Sequence, residues 1–249
     1  MATHKYFHVL LRCLYVRSVS VLRQEGDLAR THEGEPGLPR GRTGLPAETV
    51  KAAQRERLLR AVIAAVARHG IHDVTVADIV RGARVSKGAF YEHFTGKEDC
   101  FLAATRAGGQ MMADRVVAAT KRLPAGASAE QVLRTGIAAF LGFLAAEPAF
   151  TRAFYIDMPA AGPRAVDRIE AAQHNFARLD QAWHAHARRS HPDWPAVPYE
   201  ACLAVACATT ELVRGAARHG KGKKAITGLE DTLVSLHLAV LAGQPWTAA

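Results

Sequence analysis

The residues of this sequence that are best suited to chemistry lie close together, between positions 75 and 97. They offer hydroxyls, ammonium groups, an imidazole and one bare glycine backbone: Thr75, Ser86, Lys87, Gly88, Tyr91, His93 and Lys97. Groups of these types donate hydrogen bonds to phosphate oxygens. The sequence lacks a G-x-S-x-G elbow, a Gly-rich phosphate loop and an H-E-x-x-H pair. The cluster therefore predicts binding to phosphates and bases rather than catalysis.

The elements that must position these residues are two short helices within 75–94. Thr75 and Asp78 form the pattern of a capping box that opens the first helix, and Ser86 is a good N-cap for the second. Helices this short are marginal alone. They are expected to pack on each other and on a preceding helix over 52–69, which gives a compact three-helix unit.

Two residues at the start of the second helix weaken the helix that contains them. Lys87 places a positive charge at a helix N-terminus, where the helix dipole disfavours it. Gly88 lowers helix propensity but lets a groove wall approach the backbone. Local penalties of this kind tend to mark function rather than folding. They make sense if a phosphate or a base edge lies opposite.

Residues 52–105 resemble the DNA-binding domain of the TetR family of regulators. The positions that carry the resemblance are Thr75, Ile79, Val85, Ser86, Gly88, Phe90, Tyr91, His93, Phe94, Lys97 and Glu98. The resemblance covers about a fifth of the chain. It implies an N-terminal helix-turn-helix domain over 51–105, whose second helix, Ser86–Phe94, enters the major groove.

The same resemblance assigns roles to the clustered residues. Lys87 and the Gly88 backbone would lie nearest the bases, at the helix that Ser86 begins. The residues that would hold phosphates, and so fix register without reading sequence, are Thr75, Tyr91, His93 and Lys97. Two alternatives stay open: Tyr91 could simply pack its ring, and His93 could cap a helix or fill a gap.

The sequence departs from the family pattern at two positions. Val80 stands where the family commonly has Ala, and Arg84 stands in the turn where it usually has Gly. The turn position is expected to need a left-handed backbone, which costs a non-Gly residue on the order of 1 kcal/mol. The turn should survive, and Arg84 could add a phosphate contact.

Charge and cysteine usage agree with a nucleic-acid partner in a reducing compartment. The 249 residues carry a formal charge of +9 and a pI near 9.7, which alone is weak support for an acidic partner. The four cysteines fit no zinc or disulfide framework: Cys13, Cys100, Cys202 and Cys207. We therefore expect reduced thiols in a cytoplasmic protein. The abundance of Arg, Ala, Gly and Pro suggests a high-GC bacterium.

The first fifty residues differ from the rest. Residues 23–50 are rich in Gly, Pro and charge, which predicts that 1–50 is a disordered or leader-like tail. Residues 6–22 could form a short extra helix, whose apolar run Arg12 and Arg17 break. Neither a membrane span nor a signal peptide is expected. Alternatively, the natural start codon lies downstream of this segment.

The rest of the chain, 106–249, predicts a helical domain for ligand binding and dimerisation, so that the whole fold is all α. Further helices are expected at about 163–189, 198–218 and 228–242. The last is apolar on two faces, which indicates two partners, such as its own core and a second subunit. The small residues of 198–218 would allow close approach. In the family, such helices form a homodimer, and a four-helix interface across a two-fold axis is the hypothesis here.

Aromatic residues concentrate in the middle helices of this domain. Those expected to line an apolar pocket for an unknown small-molecule effector are Phe143, Phe154, Tyr155, Phe176 and Trp183. Ordinary core packing is the alternative for each. Four histidines are interpreted as facing solvent rather than binding metal, namely His174, His184, His186 and His191. No metal or other cofactor is expected.

Together these observations favour a DNA-binding transcriptional regulator that is not an enzyme. The resemblance implies a homodimer on a near-palindromic operator, released when the effector binds, and hence a repressor. A transcriptional activator of the same fold remains an alternative. So does a helical small-molecule-binding or interaction protein without specific DNA binding.

Overall fold

A computed structural model of the chain describes residues 28–35, 46–219 and 222–246, and these residues form helices and no strand. The α-helices are α1 (Ala47–His69), α2 (Val76–Ala83), α3 (Lys87–His93), α4 (Lys97–Lys121), α5 (Ala129–Ala146), α6 (Pro148–Arg152), α7 (Pro163–Ala187), α8 (Tyr199–His219), α9 (Lys223–Thr227) and α10 (Glu230–Ala242). The all-α prediction is confirmed. The helix suggested at 6–22 lies outside the described residues.

The described residues form two compact units. The N-unit comprises those of Ser18–Met111 and Ala146–Val166, and the C-unit comprises those of Met112–Ala145 and Asp167–Ala249. The sequence suggested a boundary near 105. The N-unit takes in α6 and the π-helical turn that follows it, Ala153–Asp157, because their apolar side chains are buried there.

The core of the N-unit is built on the apolar stripe of α1. Leu58, Val62 and Val66 recur along one face, and none of them is exposed. Ile79 from α2 and Phe90 from α3 are also fully buried. Fully burying each such side chain stabilises the fold by about 1.5–3 kcal/mol. The predicted three-helix unit is therefore present, and α1 begins five residues earlier than expected, at Ala47.

Part of the predicted tail is folded onto this unit. Leu28 is fully buried, and its backbone N–H donates to the carboxylate of Glu147 at 3.0 Å. The backbone N–H of His32 donates to the carbonyl of Gly82 at 2.7 Å. Residues 28–35 have no helical pattern of their own, so their sequence did not reveal these contacts. Partners distant in the chain satisfy their backbone groups.

The start of α4 differs from its prediction. The sequence pairs Thr95 with Glu98 as a capping box, but the carboxylate that caps is Asp99. The Thr95 backbone N–H donates to Asp99 at 3.1 Å, and its hydroxyl lies 3.3 Å from the same oxygen. The helix starts at Lys97, after Thr95 and Gly96. The acidic residue that bonds Thr95 is therefore Asp99, one residue later than expected.

The C-unit helices fall close to their predicted ranges. The sequence Ser128-Ala129-Glu130-Gln131 has the pattern of a capping box at the start of α5, and the structure contains it: Ser128 and Gln131 exchange backbone-to-side-chain hydrogen bonds of 2.8 and 3.1 Å. The expected helix over 228–242 begins at Glu230 instead. A turn at Gly228 separates it from α9, and there a Cβ would lie only 2.9 Å from the carbonyl oxygen of Lys224.

The interpretation that the four histidines face solvent is wrong for His184. This residue is buried, and its ring stacks on Trp194 with centroids 6.3 Å apart. His174 is half-buried, and its Nδ1 lies 2.7 Å from the hydroxyl of Tyr199. Neither contact follows from helical spacing, because both partners come from outside α7.

Two described stretches reach the length and apolar composition of a membrane-spanning helix, 129–146 and 223–242. The first is α5, whose Leu133 and Phe140 pack inside the C-unit. The second is not one helix, since the turn at 228–229 interrupts it. These stretches are weak evidence for a membrane, and the expectation of no membrane partner stays a prediction.

A glycine of α4 tests the packing of the N-unit. A Cβ added to Gly108 would lie 2.2 Å from the ring of Phe150, which is fully buried and has little room to move. We expect Gly108→Ala to lower the free energy of unfolding by roughly 1–3 kcal/mol, because overpacking outweighs the better helix propensity of Ala. Urea denaturation followed by circular dichroism measures this change.

The matched control is Gly142→Ala in α5, where an added Cβ meets no atom within 4 Å. There only helix propensity changes, so the free energy of unfolding should rise by roughly 0.5–1 kcal/mol. Equal effects of the two substitutions would contradict the packing of Phe150 against Gly108.

Candidate nucleic-acid interface and ligand cavity

The first of the predicted site residues, Thr75, is the N-cap of α2. Its hydroxyl accepts from the Asp78 backbone N–H at 3.2 Å and donates to the Asp78 carboxylate at 2.6 Å, while its own N–H donates to that carboxylate at 3.0 Å. The predicted capping box is confirmed. Hydrogen bonds from Thr75 lower the pKa of Asp78. The hydroxyl proton of Thr75 is thus in use, and a phosphate contact would have to replace this bond.

The turn between α2 and α3 has the predicted backbone. Arg84 adopts φ 54° and ψ 42°, and it is the one described non-glycine residue with positive φ. Its Nε donates to the carbonyl of Glu35 at 3.1 Å. The Arg84 side chain therefore ties the turn to the folded segment 28–35. Glu35 and Arg84 are 49 residues apart in the chain, so the local sequence does not predict this contact.

The helix α3 presents an open polar face. Ser86 caps it by accepting from the Ala89 N–H at 3.1 Å. Lys87, Gly88 and Tyr91 are exposed, Tyr91 by 53 %. A Cβ on Gly88 would meet only the Ser86 hydroxyl, at 3.9 Å. Among described residues, nothing hydrogen-bonds the Tyr91 hydroxyl or the Lys87 ammonium, so both are available to a ligand.

His93, at the end of α3, is less accessible than Lys87 or Tyr91. Its Nε2 is buried and has no hydrogen-bond partner among the described residues. Burial, and then the positive charge of Arg55, lower the pKa of His93. The imidazole is therefore neutral near pH 7. Its phosphate contact stays a prediction, as does the alternative that it fills a gap.

Lys97 joins α4 to the loop before α2. Its ammonium donates to the carbonyls of His72 and Val74 at 2.9 and 2.8 Å. The sequence did not suggest this role, because the acceptors are backbone groups more than twenty residues away. One ammonium proton remains for a phosphate, and that contact stays a prediction.

Arg55 of α1 completes the packing beneath α3. Its guanidinium carbon lies 4.7 Å from the ring centroid of Phe94, in cation–π geometry. The contact holds the end of α3 against α1. It also brings a positive charge close to His93, one of the residues expected to approach phosphates.

The C-unit contains a cavity of about 100 Å³. Most of its lining is apolar, from Val116, Val132, Leu133, Gly136, Ile137, Phe140, Phe176, Leu179, Trp183, Ala206 and Leu233. Phe176 and Trp183 had been predicted to face a pocket. Phe143 is buried away from this cavity, and Phe154 and Tyr155 belong to the N-unit. Contact between an effector and any of the five predicted residues stays a prediction.

Three polar residues also line the cavity. The Nδ1 of His237 donates to the Leu233 carbonyl at 2.7 Å, which leaves Nε2 facing Asp180 Oδ1 at 3.5 Å. Burial lowers the pKa of His237, but the negative charge of Asp180 and hydrogen bonds raise it by more, so the pKa is above its ordinary value. The buried Thr209 hydroxyl has no partner among described residues.

These polar residues were missed, although the sequence held a signal for two of them. Asp180 lies four residues after Phe176 and three before Trp183, so helical spacing places it on their face. His237 lies four residues after Leu233, on the apolar face of α10. The orphaned hydroxyl of Thr209 has no such signature.

Residues 58–104 match the model of a known family, the bacterial regulatory proteins of the tetR family. The match runs from the middle of α1 to the first turns of α4, and so includes α2, the Arg84 turn and α3. Residues 58–104 are therefore a TetR-type DNA-binding domain with a helix-turn-helix.

Solved structures agree with this TetR-family fold. A TetR-like regulator from Rhodococcus sp. RHA1 superposes with a TM-score of 0.58 at 20 % identity, covering 80 % of this chain and 100 % of that one. FadR of Bacillus halodurans, a fatty acid degradation regulator, gives 0.63 at 17 % identity, covering 76 % and 99 %. FadR of Bacillus subtilis, in complex with stearoyl-CoA, gives 0.62 at 17 % identity, covering 76 % and 98 %. No curated protein matches the chain.

The left-handed turn offers a test of this TetR-family helix-turn-helix. We expect Arg84→Gly to raise the free energy of unfolding by about 0.5–1 kcal/mol, because Gly adopts positive φ without strain. Arg84→Val should lower it by more than about 1 kcal/mol, since a β-branched residue is a genuine outlier there. Both variants lose the bond to Glu35, so their difference isolates the backbone. Equal stabilities in urea denaturation would show that the turn is not left-handed.

Proposed function

We propose that this chain is a regulator of the TetR family, and that it acts in the bacterial cytoplasm as a homodimeric, ligand-released repressor. The observation that carries the proposal is the open face of α3, where Lys87, Gly88 and Tyr91 are exposed. An exposed basic and aromatic face on a helix built over a buried core is suited to a large polyanionic partner.

In the proposed complex α3 lies in the major groove. Lys87 and the Gly88 backbone approach base edges, since a glycine with open space beside it admits a groove wall. Tyr91 donates its hydroxyl to a phosphate. The residues proposed to contact the sugar-phosphate backbone of the DNA are Thr75, Ser86, His93 and Lys97. Because Thr75, Ser86 and Lys97 also make hydrogen bonds within the protein, we expect these contacts to fix position more than sequence.

The proposed homodimer forms through α8 and α10. Leu212 on α8 and Val240 on α10 are 37 % and 39 % exposed, and they are among the large apolar side chains that the described residues leave exposed. Small residues beside them, Ala204 and Gly215, are exposed as well and allow helices to approach closely. A two-fold axis at this surface would present two copies of α3 to a near-palindromic operator.

Release is proposed to follow from binding an effector in the C-unit cavity. A ligand shifts the equilibrium only as far as its affinities for the two states of the protein differ. The helix α4 contributes Lys97 near the helix-turn-helix and Val116 in the cavity lining, so one continuous helix contacts both. An effector that fits one orientation of α4 better would therefore bias the spacing of the two α3 helices.

The DNA contacts are tested by Lys87→Ala and Tyr91→Ala. Both side chains are exposed, so folding should be unaffected, while operator affinity should fall roughly tenfold or more. Fluorescence anisotropy on DNA flanking the gene, at physiological salt with excess nonspecific competitor, measures this loss. If that DNA is not bound specifically, selection from random sequences supplies the operator.

The matched control for this assay is Lys121→Ala, which removes an exposed charge at the far end of α4. We expect its operator affinity to stay within about twofold of the unaltered protein. Unchanged affinity in both Lys87→Ala and Tyr91→Ala would show that α3 does not read DNA.

The dimer is tested by Leu212→Glu and Val240→Glu, which place charges in the proposed apolar interface. Sedimentation equilibrium at micromolar concentration should give twice the chain mass of 26.8 kDa for the unaltered protein and the single mass for both variants. Val166→Glu, at an apolar residue exposed in the N-unit, is the control and should remain dimeric. An unaltered chain that sediments as a monomer would refute the interface.

A further inference from the structure

We propose that the C-unit cavity binds a neutral single-ring phenol, whose hydroxyl lies among Asp180, Thr209 and His237 and whose ring occupies the apolar walls. The regulatory consequence rests on the proposed function, but the binding does not. The inference follows from the charge balance, the unsatisfied polar groups and the size of the cavity, taken in turn.

The charge balance of the cavity is close to neutral. His237 and Asp180 form an ion pair whose side chains are 7 % and 16 % exposed, and the cavity lining contains no Lys or Arg. A ligand carboxylate or phosphate would meet the negative charge of Asp180, and a ligand ammonium would meet His237. An uncompensated charge in an apolar cavity is strongly disfavoured. The occupant should therefore be neutral.

Two polar groups of the cavity, the imidazole of His237 and the carboxylate of Asp180, can bind the same ligand hydroxyl. The gap of 3.5 Å between His237 Nε2 and Asp180 Oδ1 is longer than a good N–H···O hydrogen bond. Since Nδ1 is held by the Leu233 carbonyl, Nε2 and the carboxylate are the groups with capacity left. A hydroxyl can donate to the carboxylate and accept from the imidazole at the same time.

The hydroxyl of Thr209 is the second feature of the cavity that favours a ligand with a polar atom. Its buried hydroxyl has no partner among the described residues, whereas the neighbouring Thr210 bonds the carbonyl of Ala206 at 3.0 Å. An unsatisfied buried hydroxyl is costly. A ligand oxygen beside Thr209 would satisfy it, which favours ligands with a hydroxyl over hydrocarbons of the same shape.

The walls and the volume indicate an aromatic ring. Phe140 and Phe176 lie edge to face with centroids 5.7 Å apart, and Trp183 adds a third aromatic surface. A cavity of about 100 Å³ is on the scale of the roughly 150 Å³ site that takes up benzene. At about 100 Å³ the cavity is too small to enclose a long acyl chain, and its lining has no Lys or Arg for a nucleotide phosphate. The expected effector thus differs from the stearoyl-CoA seen with Bacillus subtilis FadR.

The test is isothermal titration calorimetry of the full chain without DNA, with four probes of similar shape: 4-ethylphenol, ethylbenzene, 4-ethylbenzoate and 4-ethylbenzylammonium. We expect 4-ethylphenol to bind at least tenfold more tightly than each of the others. Tighter binding of either charged probe, equal binding of ethylbenzene and 4-ethylphenol, or no binding of 4-ethylphenol would overturn the proposal.

Variants locate the hydroxyl. Thr209→Val keeps the side-chain shape and should weaken 4-ethylphenol binding about threefold to tenfold, with ethylbenzene unchanged. Asp180→Asn should weaken it more, because it removes a charged acceptor. Thr210→Val is the matched control, since that hydroxyl serves its own helix, and it should leave phenol affinity unaltered. If Thr209→Val and Thr210→Val behave alike, the assignment fails.

A separate measurement keeps this inference distinct from the proposed function. Operator anisotropy with and without 4-ethylphenol reports release. If the phenol binds in calorimetry as expected but does not change operator affinity, the cavity assignment holds and the ligand-released repressor is refuted. If release occurs equally in the Thr209→Val and unaltered proteins at matched phenol concentrations, the phenol acts elsewhere and the cavity assignment is refuted.

Discussion

The helices α2 and α3 keep their shape only through their contacts with α1, because eight and seven residues are too few for an isolated helix. Ile79 and Phe90 are fully buried in that contact. Everything that faces outward from α3 depends on this burial, since Lys87 and Tyr91 can be exposed only on a helix that is held from beneath. The capping bonds of Thr75 and Ser86 then fix where each helix begins.

The parts of this unit that the sequence predicted are those that depend on neighbours in the chain. The box at Thr75, the left-handed Arg84 and the cap at Ser86 are properties of four or five consecutive residues, and all three are present. The box predicted at Thr95 is wrong by one residue, because the helix starts at Lys97 and the acid that Thr95 bonds is Asp99 rather than Glu98.

What the sequence could not predict depends on distant partners. Lys97 bonds two loop carbonyls, and residues 28–35 fold onto α2. In the C-unit, Phe176 and Trp183 were recognisable as pocket residues from aromatic content, whereas Thr209 was not, because an orphaned hydroxyl is defined only by what surrounds it. The proposed function thus combines a surface encoded by neighbouring residues with a cavity assembled from residues distant in the chain.

The position of Lys97 affects how the protein would respond to salt. Two carbonyls hold its ammonium, but no described carboxylate lies within ion-pair distance of it, so the charge is fixed in place without being neutralised. A lysine that is already ordered avoids most of the roughly 1.5–2 kcal/mol of rotamer entropy that a free one loses on contact. In the proposed DNA complex it would still displace condensed counterions, and each such contact would steepen the logarithmic dependence of affinity on salt by about 0.9. In that complex, the same side chain that holds the loop would also provide long-range electrostatic attraction to DNA.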